Sequence, residues 1–118
     1  MATMSKVRLS AVPDGLALKV GGTDTGTADV VHTAIAGTSD IDEIWLWASN
    51  TQAGAVKLTL EWGTDTAADG NIEVTIDGES GLTLIVPGLI LQNEKTVEAF
   101  AGTTDVILIF GYVNRITA

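Results

Sequence analysis

The side chains with the potential for chemistry are few, and their spacing argues against most reactions. His32 is the only histidine, in Val30-Val31-His32-Thr33-Ala34. General-base catalysis by histidine needs a nucleophile and an orienting carboxylate beside it, and the chain has no G-x-S-x-G elbow. His32 is therefore read as a structural residue of a strand. There is no cysteine, which excludes disulfides, thiolate nucleophiles and thiol-based zinc sites. The acidic loop Asp65-Thr66-Ala67-Ala68-Asp69-Gly70-Asn71 resembles a calcium loop only superficially. Ala67 stands where the third-position ligand belongs and Ile76 where the closing glutamate should be. Gly21-Gly22-Thr23-Asp24-Thr25-Gly26 is like a glycine-rich calcium repeat in composition alone.

A paired-carboxylate glycosidase needs a cleft between its acids, and a compact domain of 118 residues has little room for one. No phosphate-cradling glycine loop, dinucleotide fingerprint or basic aromatic patch is present. No catalytic, cofactor-binding or metal-ligating residue is assigned, and no cofactor is expected. The three tryptophans remain. Trp62 falls on the apolar face of its strand and reads as core. Trp45 and Trp47 are two residues apart and share a strand face, so they are candidates for a subunit seam or a sugar-stacking platform.

The elements that must position these residues are strands. In Val56-Lys57-Leu58-Thr59-Leu60-Glu61-Trp62 apolar residues alternate with polar ones, and Ile72-Glu73-Val74-Thr75-Ile76-Asp77 repeats the pattern. Further strands are expected at 83–86, 89–91, 96–101 and 106–115, with weaker signals at 7–12, 16–20 and 30–36. Gly and Pro punctuate them, and no useful 3.6-residue apolar stripe appears, so one short helical turn at most is expected. Such a pattern suits a sandwich, jelly roll or small barrel. The expected architecture is an antiparallel β-sandwich of jelly-roll type with about eight short strands, an extended N-terminal arm over residues 1–14 and a single sandwich domain over 15–118.

Two strands depart from simple alternation. Ile44-Trp45-Leu46-Trp47-Ala48 and Val106-Ile107-Leu108-Ile109-Phe110-Gly111-Tyr112-Val113 are apolar on both faces. Such strands are covered on both sides, by the same chain or by another. If the cover is another copy, Trp45, Trp47, Ile107, Ile109 and Val113 are the expected interface residues.

Charge narrows the partners. Six Lys and Arg oppose fifteen Asp and Glu, a net charge of −9, and such a surface repels phosphate backbones. Direct nucleic-acid binding is not expected. The charge is uneven: residues 1–20 carry Lys6, Arg8 and Lys19 against Asp14 alone. Lys6 and Arg8 are thus placed on an arm suited to docking on an acidic surface. No apolar run long enough for a membrane span exists, and the N-terminus lacks the apolar stretch of a signal peptide. Synthesis in the cytoplasm, with no membrane partner, is the expectation.

The C-terminal portion resembles small structural proteins of tailed-bacteriophage particles. The resemblance is carried by Ser80-Gly81-Leu82-Thr83-Leu84-Ile85-Val86-Pro87-Gly88-Leu89-Ile90-Leu91-Gln92-Asn93, by Val97-Glu98-Ala99-Phe100-Ala101, and by the ending 106–116. It spans roughly residues 30–118 and concerns texture and ending, not a catalytic signature. It implies a non-enzymatic capsid decoration, or cement, subunit on the outside of a virion. Such a subunit would form a homotrimer, bridge neighbouring major capsid proteins and help the shell withstand packed DNA. Neck and tail-surface roles fit the same texture, and a carbohydrate- or receptor-binding module using Trp45 and Trp47 is the alternative from another class.

Overall fold

A computed structural model describes residues 2–118. Nine strands follow one another along the chain: β1 (Thr3–Arg8), β2 (Leu18–Lys19), β3 (Asp29–Thr33), β4 (Ile41–Asn50), β5 (Val56–Trp62), β6 (Asn71–Ile76), β7 (Thr83–Leu91), β8 (Thr96–Ala101) and β9 (Ile107–Thr117). Among the described residues the one helical element is a 3-10 turn at Thr25–Thr27, capped by Asp24. Sheet A has the order β1-β9-β4-β7, with β2 also paired to β9, and sheet B the order β3-β8-β5-β6. Every pairing is antiparallel. Strands after β2 cross from one sheet to the other at every step except the β5–β6 hairpin, which is the jelly-roll winding expected from the sequence.

The ninth strand has a local cause. β1 faces Tyr112–Thr117 of β9, and β2 faces Leu108 and Ile109, so the two occupy one strand position beside β9. Residues 9–17 leave the sheet between them. Pro13 has no N–H to donate to a ladder, and Asp14 and Gly15 take positive φ values of 57° and 76°, turning the chain back with Leu16 N–H bonded to the Pro13 carbonyl. The strand signals at 7–12 and 16–20 therefore belong to one interrupted strand. The expected boundary at residues 14 and 15 falls inside this excursion, and Thr3–Arg8 of the N-terminal arm lies in sheet A as an edge strand. At 83–91 the opposite happens. Two expected strands are one, because Pro87 and Gly88 (φ 80°) are absorbed as a bulge where the register against Trp45 shifts.

The core lies between the sheets. Ile44, Leu46 and Ala48 of β4 meet Leu58 and Leu60 of β5, Val97 and Ala99 of β8, and Ile107, Ile109 and Val113 of β9, all without solvent exposure. Alternation of burial along β4 is complete over its ten residues. Its inward row is apolar in the middle and polar at both ends, with Asp42 and Asn50 buried at opposite rims. Asn50 Nδ2 donates to the carbonyls of Gly54 and Ile76 at 2.9 and 3.0 Å, and its Oδ1 accepts from Gln52 N–H at 3.0 Å.

Close approach fixes one glycine. A β-carbon on Gly111 of β9 would fall on the Trp45 carbonyl oxygen and 2.9 Å from the Leu46 side chain. Gly111→Ala is expected to destabilise the fold by about 1–3 kcal/mol through overpacking at the β4–β9 seam, measured as a lowered midpoint in urea unfolding.

Candidate functional site

Two constellations could carry function: a buried polar clasp between the sheets and an aromatic strip on the outer face of sheet A.

The clasp centres on Asp42, which β4 projects inward with no exposure. His32 of β3, in the opposite sheet, lies with Nε2 2.8 Å from Asp42 Oδ2. Arg115 of β9 donates Nε to Oδ1 at 2.8 Å and a terminal nitrogen to Oδ2 at 3.0 Å. The Ile35 N–H adds a further bond to Oδ2 at 3.1 Å. Ser10 N–H donates to His32 Nδ1 at 3.0 Å, which leaves Nε2 to carry the proton given to Asp42. Burial alone would raise the Asp42 carboxyl, but the hydrogen bonds from Arg115 and His32 and their charges outweigh it and hold the group below its ordinary value. The same bond pushes Arg115 up.

A hollow of about 400 Å³ opens over this clasp, lined by residues 7–13 with His32 and Arg115. Both ring nitrogens of His32 are engaged, and the hydroxyl of Ser10 accepts from Thr33 N–H at 2.8 Å. The clasp ties β3 of one sheet to β4 and β9 of the other. What the sequence left unseen were Asp42 and Arg115, whose partnership spans 73 residues of chain. Among the described residues no three His, Cys, Asp or Glu side chains converge on a metal position.

The aromatic strip follows from register. Residues directly opposite in neighbouring strands share a face, so the outward side of sheet A reads as cross-strand rows. Met4, Ile116 and Ile41 form the first row. Lys6, Asn114, Glu43 and Ile90 form the second, and Arg8, Tyr112, Trp45 and Pro87 the third. Phe110, Trp47 and Leu84 complete the strip. Trp45 and Trp47 stack at 6.3 Å between ring centroids, and Tyr112 lies 6.5 Å from Trp45 and 5.9 Å from Trp47. Lys6 Nζ sits 4.4 Å from the Tyr112 centroid, a cation–π contact. Glu43 Oε1 accepts from Trp45 Nε1 at 2.8 Å and from Asn114 Nδ2 at 3.0 Å, which fixes the indole and holds the carboxyl below its ordinary value. Gly88 makes room for the ring, since a β-carbon there would come within 2.9 Å of Trp45. Trp45, Trp47 and Tyr112 are half-buried within the chain, while Met4, Leu84 and Ile90 at the margins are 65%, 47% and 56% exposed.

This placement divides the expected interface residues. Trp45 and Trp47 stand together on the outer face. Ile107, Ile109 and Val113 do not join them: opposite Asn50, Ala48 and Ile44 they face inward and have no exposure, so they cannot form a seam with another copy. The outward residues of β9 are Leu108, Phe110 and Tyr112. Both faces of β9 are apolar, so local pattern does not fix its parity, and packing assigns Ile107, Ile109 and Val113 to the core. The aromatic residues mark the outer face on both strands, and that signal was available at Phe110 and Tyr112. Lys6 lies over the aromatic strip, and Arg8 stands opposite Tyr112 on the exposed edge strand. Trp62 is on the core side as its alternation indicates, with Nε1 3.4 Å from the Ile90 carbonyl.

No protein-family model and no curated protein matches the chain. A solved structure of Bacillus endospore appendages, described as a novel family of disulfide-linked pili, is similar in fold. The TM-score is 0.51 over 98% of this chain and 86% of that one, at 14% sequence identity. At that identity the likeness speaks to the sandwich and not to its use.

Replacing the buried Asp42 with Asn takes the charge partner from the half-buried Arg115, and a loss of about 3 kcal/mol is expected. A carboxyl held below its ordinary value contributes stability above about pH 4 that is lost as pH falls through the folded value. Melting curves from pH 7 to pH 2.5 should therefore show a steeper acid-side loss in the natural chain than in Asp42→Asn.

Proposed function

We propose that the chain is a non-enzymatic structural subunit that assembles with copies of itself through the aromatic outer face of sheet A. The observation that carries this reading is the strip built on Trp45, Trp47 and Tyr112, lined along its margins by Met4, Leu84 and Ile90. An apolar strip of this extent on a sheet face is costly in water, and aromatic residues of this kind concentrate at the centres of protein interfaces. The Bacillus neighbour is described as a pilus held by disulfides. This chain has no cysteine, so contacts between its copies would be non-covalent.

The finer reading is a capsid decoration subunit of a tailed bacteriophage, trimeric on the outer surface of the virion and bound to the major capsid protein. It is supported by the resemblance over roughly residues 30–118 and by the charge split. Lys6 and Arg8 lie on an exposed edge strand that pairs only with β9, and they form no ion pair among the described residues. They would meet an acidic shell, with repeated weak contacts summed over many copies. A carbohydrate- or receptor-binding module is favoured by the same strip only if its indole faces stay open in the native assembly.

Light scattering over a dilution series is expected to show a trimer whose mass falls towards the monomer in Trp45→Ser/Trp47→Ser, with the far-ultraviolet spectrum unchanged. A folded double variant that keeps the native mass would remove this face from the assembly. For the capsid reading, Lys6→Glu/Arg8→Glu should cut co-sedimentation with tailed-phage heads by at least tenfold at low salt, where surface charges are least screened.

A further inference from the structure

The outer face of sheet B holds a row of oxygen atoms that the assembly reading does not use. Register places Asn71 of β6 opposite Glu61 of β5, and Glu61 opposite Glu98 of β8. All three point away from the core, since Leu60 and Ala99 beside them point into it. Glu61 is nevertheless only 2% exposed. The segment 21–28 crosses over it, tied down where Ala101 N–H donates to the Gly22 carbonyl and where the Thr25 hydroxyl donates to Glu61 Oε2 at 2.5 Å.

The other oxygen of Glu61 has no partner. Oε1 is buried and unbonded, and so is Oδ1 of the neighbouring Asn71. Buried acceptors are almost always satisfied, so two orphans on adjacent strands call for an explanation. Two carboxylates directly opposite across a strand pair also repel each other. Burial, with the charges of Glu61 and Asp65, pushes the Glu98 carboxyl up. Lys57, on the same face of β5, is paired with Glu73 at 3.0 Å. The row is thus rich in acceptors, negative and short of a donor, which is the chemistry of a site for a positive ion.

We propose that Glu61, Asn71 and Glu98 hold a hard divalent cation of the calcium class. Calcium accepts six to eight oxygen ligands in loose geometry, and carboxylate, amide carbonyl and water are all suitable. Neighbouring strands set these side chains at about 4.5–5.5 Å between β-carbons, close enough for one ion to touch adjacent members. Glu98 is half-buried and gives the ion and its waters a path from solvent. The ion would tie β6, β5 and β8 together under the segment that carries Thr25. With two carboxylates in the set, a dissociation constant on the order of 10⁻⁴ to 10⁻³ M is expected, in the range of extracellular calcium modules. The site is independent of the aromatic face of sheet A.

The test is calorimetric melting of the full chain, freed of metal by chelator and then titrated with calcium chloride or, at matched ionic strength, sodium chloride. The natural chain should gain on the order of 5 °C at ten times the dissociation constant of calcium and nothing from sodium. Glu61→Gln should lose the response while melting no lower than the natural chain without calcium, because its amide can donate to Asn71 and ends the repulsion with Glu98. Glu98→Gln, which alters a less buried group, provides the same comparison should Glu61→Gln not fold. An unresponsive natural chain would overturn the site, leaving a proton shared between the glutamates or a turned Asn71 amide to satisfy the row. A calcium response that survives in both variants would overturn it as well, since the ion would then bind elsewhere.

Discussion

The interaction on which the arrangement depends is the buried carboxylate of Asp42. It projects from sheet A into the gap between the sheets, where it takes hydrogen bonds from His32 of sheet B and from Arg115 of its own sheet. Apolar packing alone would allow two sheets to slide over one another, because it has little direction. A buried charge with several fixed donors allows one relative position, and losing a donor leaves a charge in a dry place. The clasp also reaches the excursion of residues 9–17, because Ser10 holds His32 by its second ring nitrogen. At the other rim Asn50 closes the same strand with neutral hydrogen bonds. β4 is thus pinned at both ends and greased between them, and β9 is fixed in register beside it.

Once β4 and β9 are fixed, the two outer faces diverge. Sheet B is covered in part by its own chain: the segment 21–28 crosses over Glu61, which Thr25 bonds, while Lys57, Glu73 and Thr75 of the same face stay exposed. Sheet A has no such cover among the described residues. Its exposed side carries Trp45, Trp47, Tyr112 and Phe110 in adjacent rows, organised by Glu43 and flanked by Lys6 and Arg8. The buried acceptor oxygens and the stacked rings therefore lie on opposite sides of one sandwich, the oxygens under a loop and the rings among Lys6, Glu43 and Asn114. A molecule of this kind can present an apolar seam to a second copy without exposing its buried carboxylates to that contact.

Much of the fold was legible because strands with one buried face announce themselves by alternation. β5 and β8 carry the bounds read from the sequence, and β6 differs by a residue at each end. The departures have particular causes. Pro13, Asp14 and Gly15 break one strand position into β1 and β2, whereas the local turn signals gave no indication that both pieces return to β9. Pro87 and Gly88 looked like a strand end and are a bulge, because the partner strand β4 continues on the far side. The candidate seam was half legible. Trp45 and Trp47 sit on a strand whose inward residues include the small Ala48 and the aliphatic Ile44 and Leu46, so the bulky rings could be placed outward. β9 is apolar on both faces, and parity there was decided by contacts that no local pattern encodes.

What the sequence by itself determined is the class of object: an antiparallel sandwich, without thiol chemistry, acidic overall and basic at its start, with paired tryptophans set aside from the core. These follow from composition and period-two alternation, which act over a few residues. The tertiary structure alone decided which face of β9 is core, that Asp42 joins His32 to Arg115, and that Glu61 is buried beside Glu98 and Asn71. Each of these depends on register between strands distant in the chain. Register is set by the sum of packing over a whole sheet, because a shift of one residue would exchange every buried side chain for an exposed one.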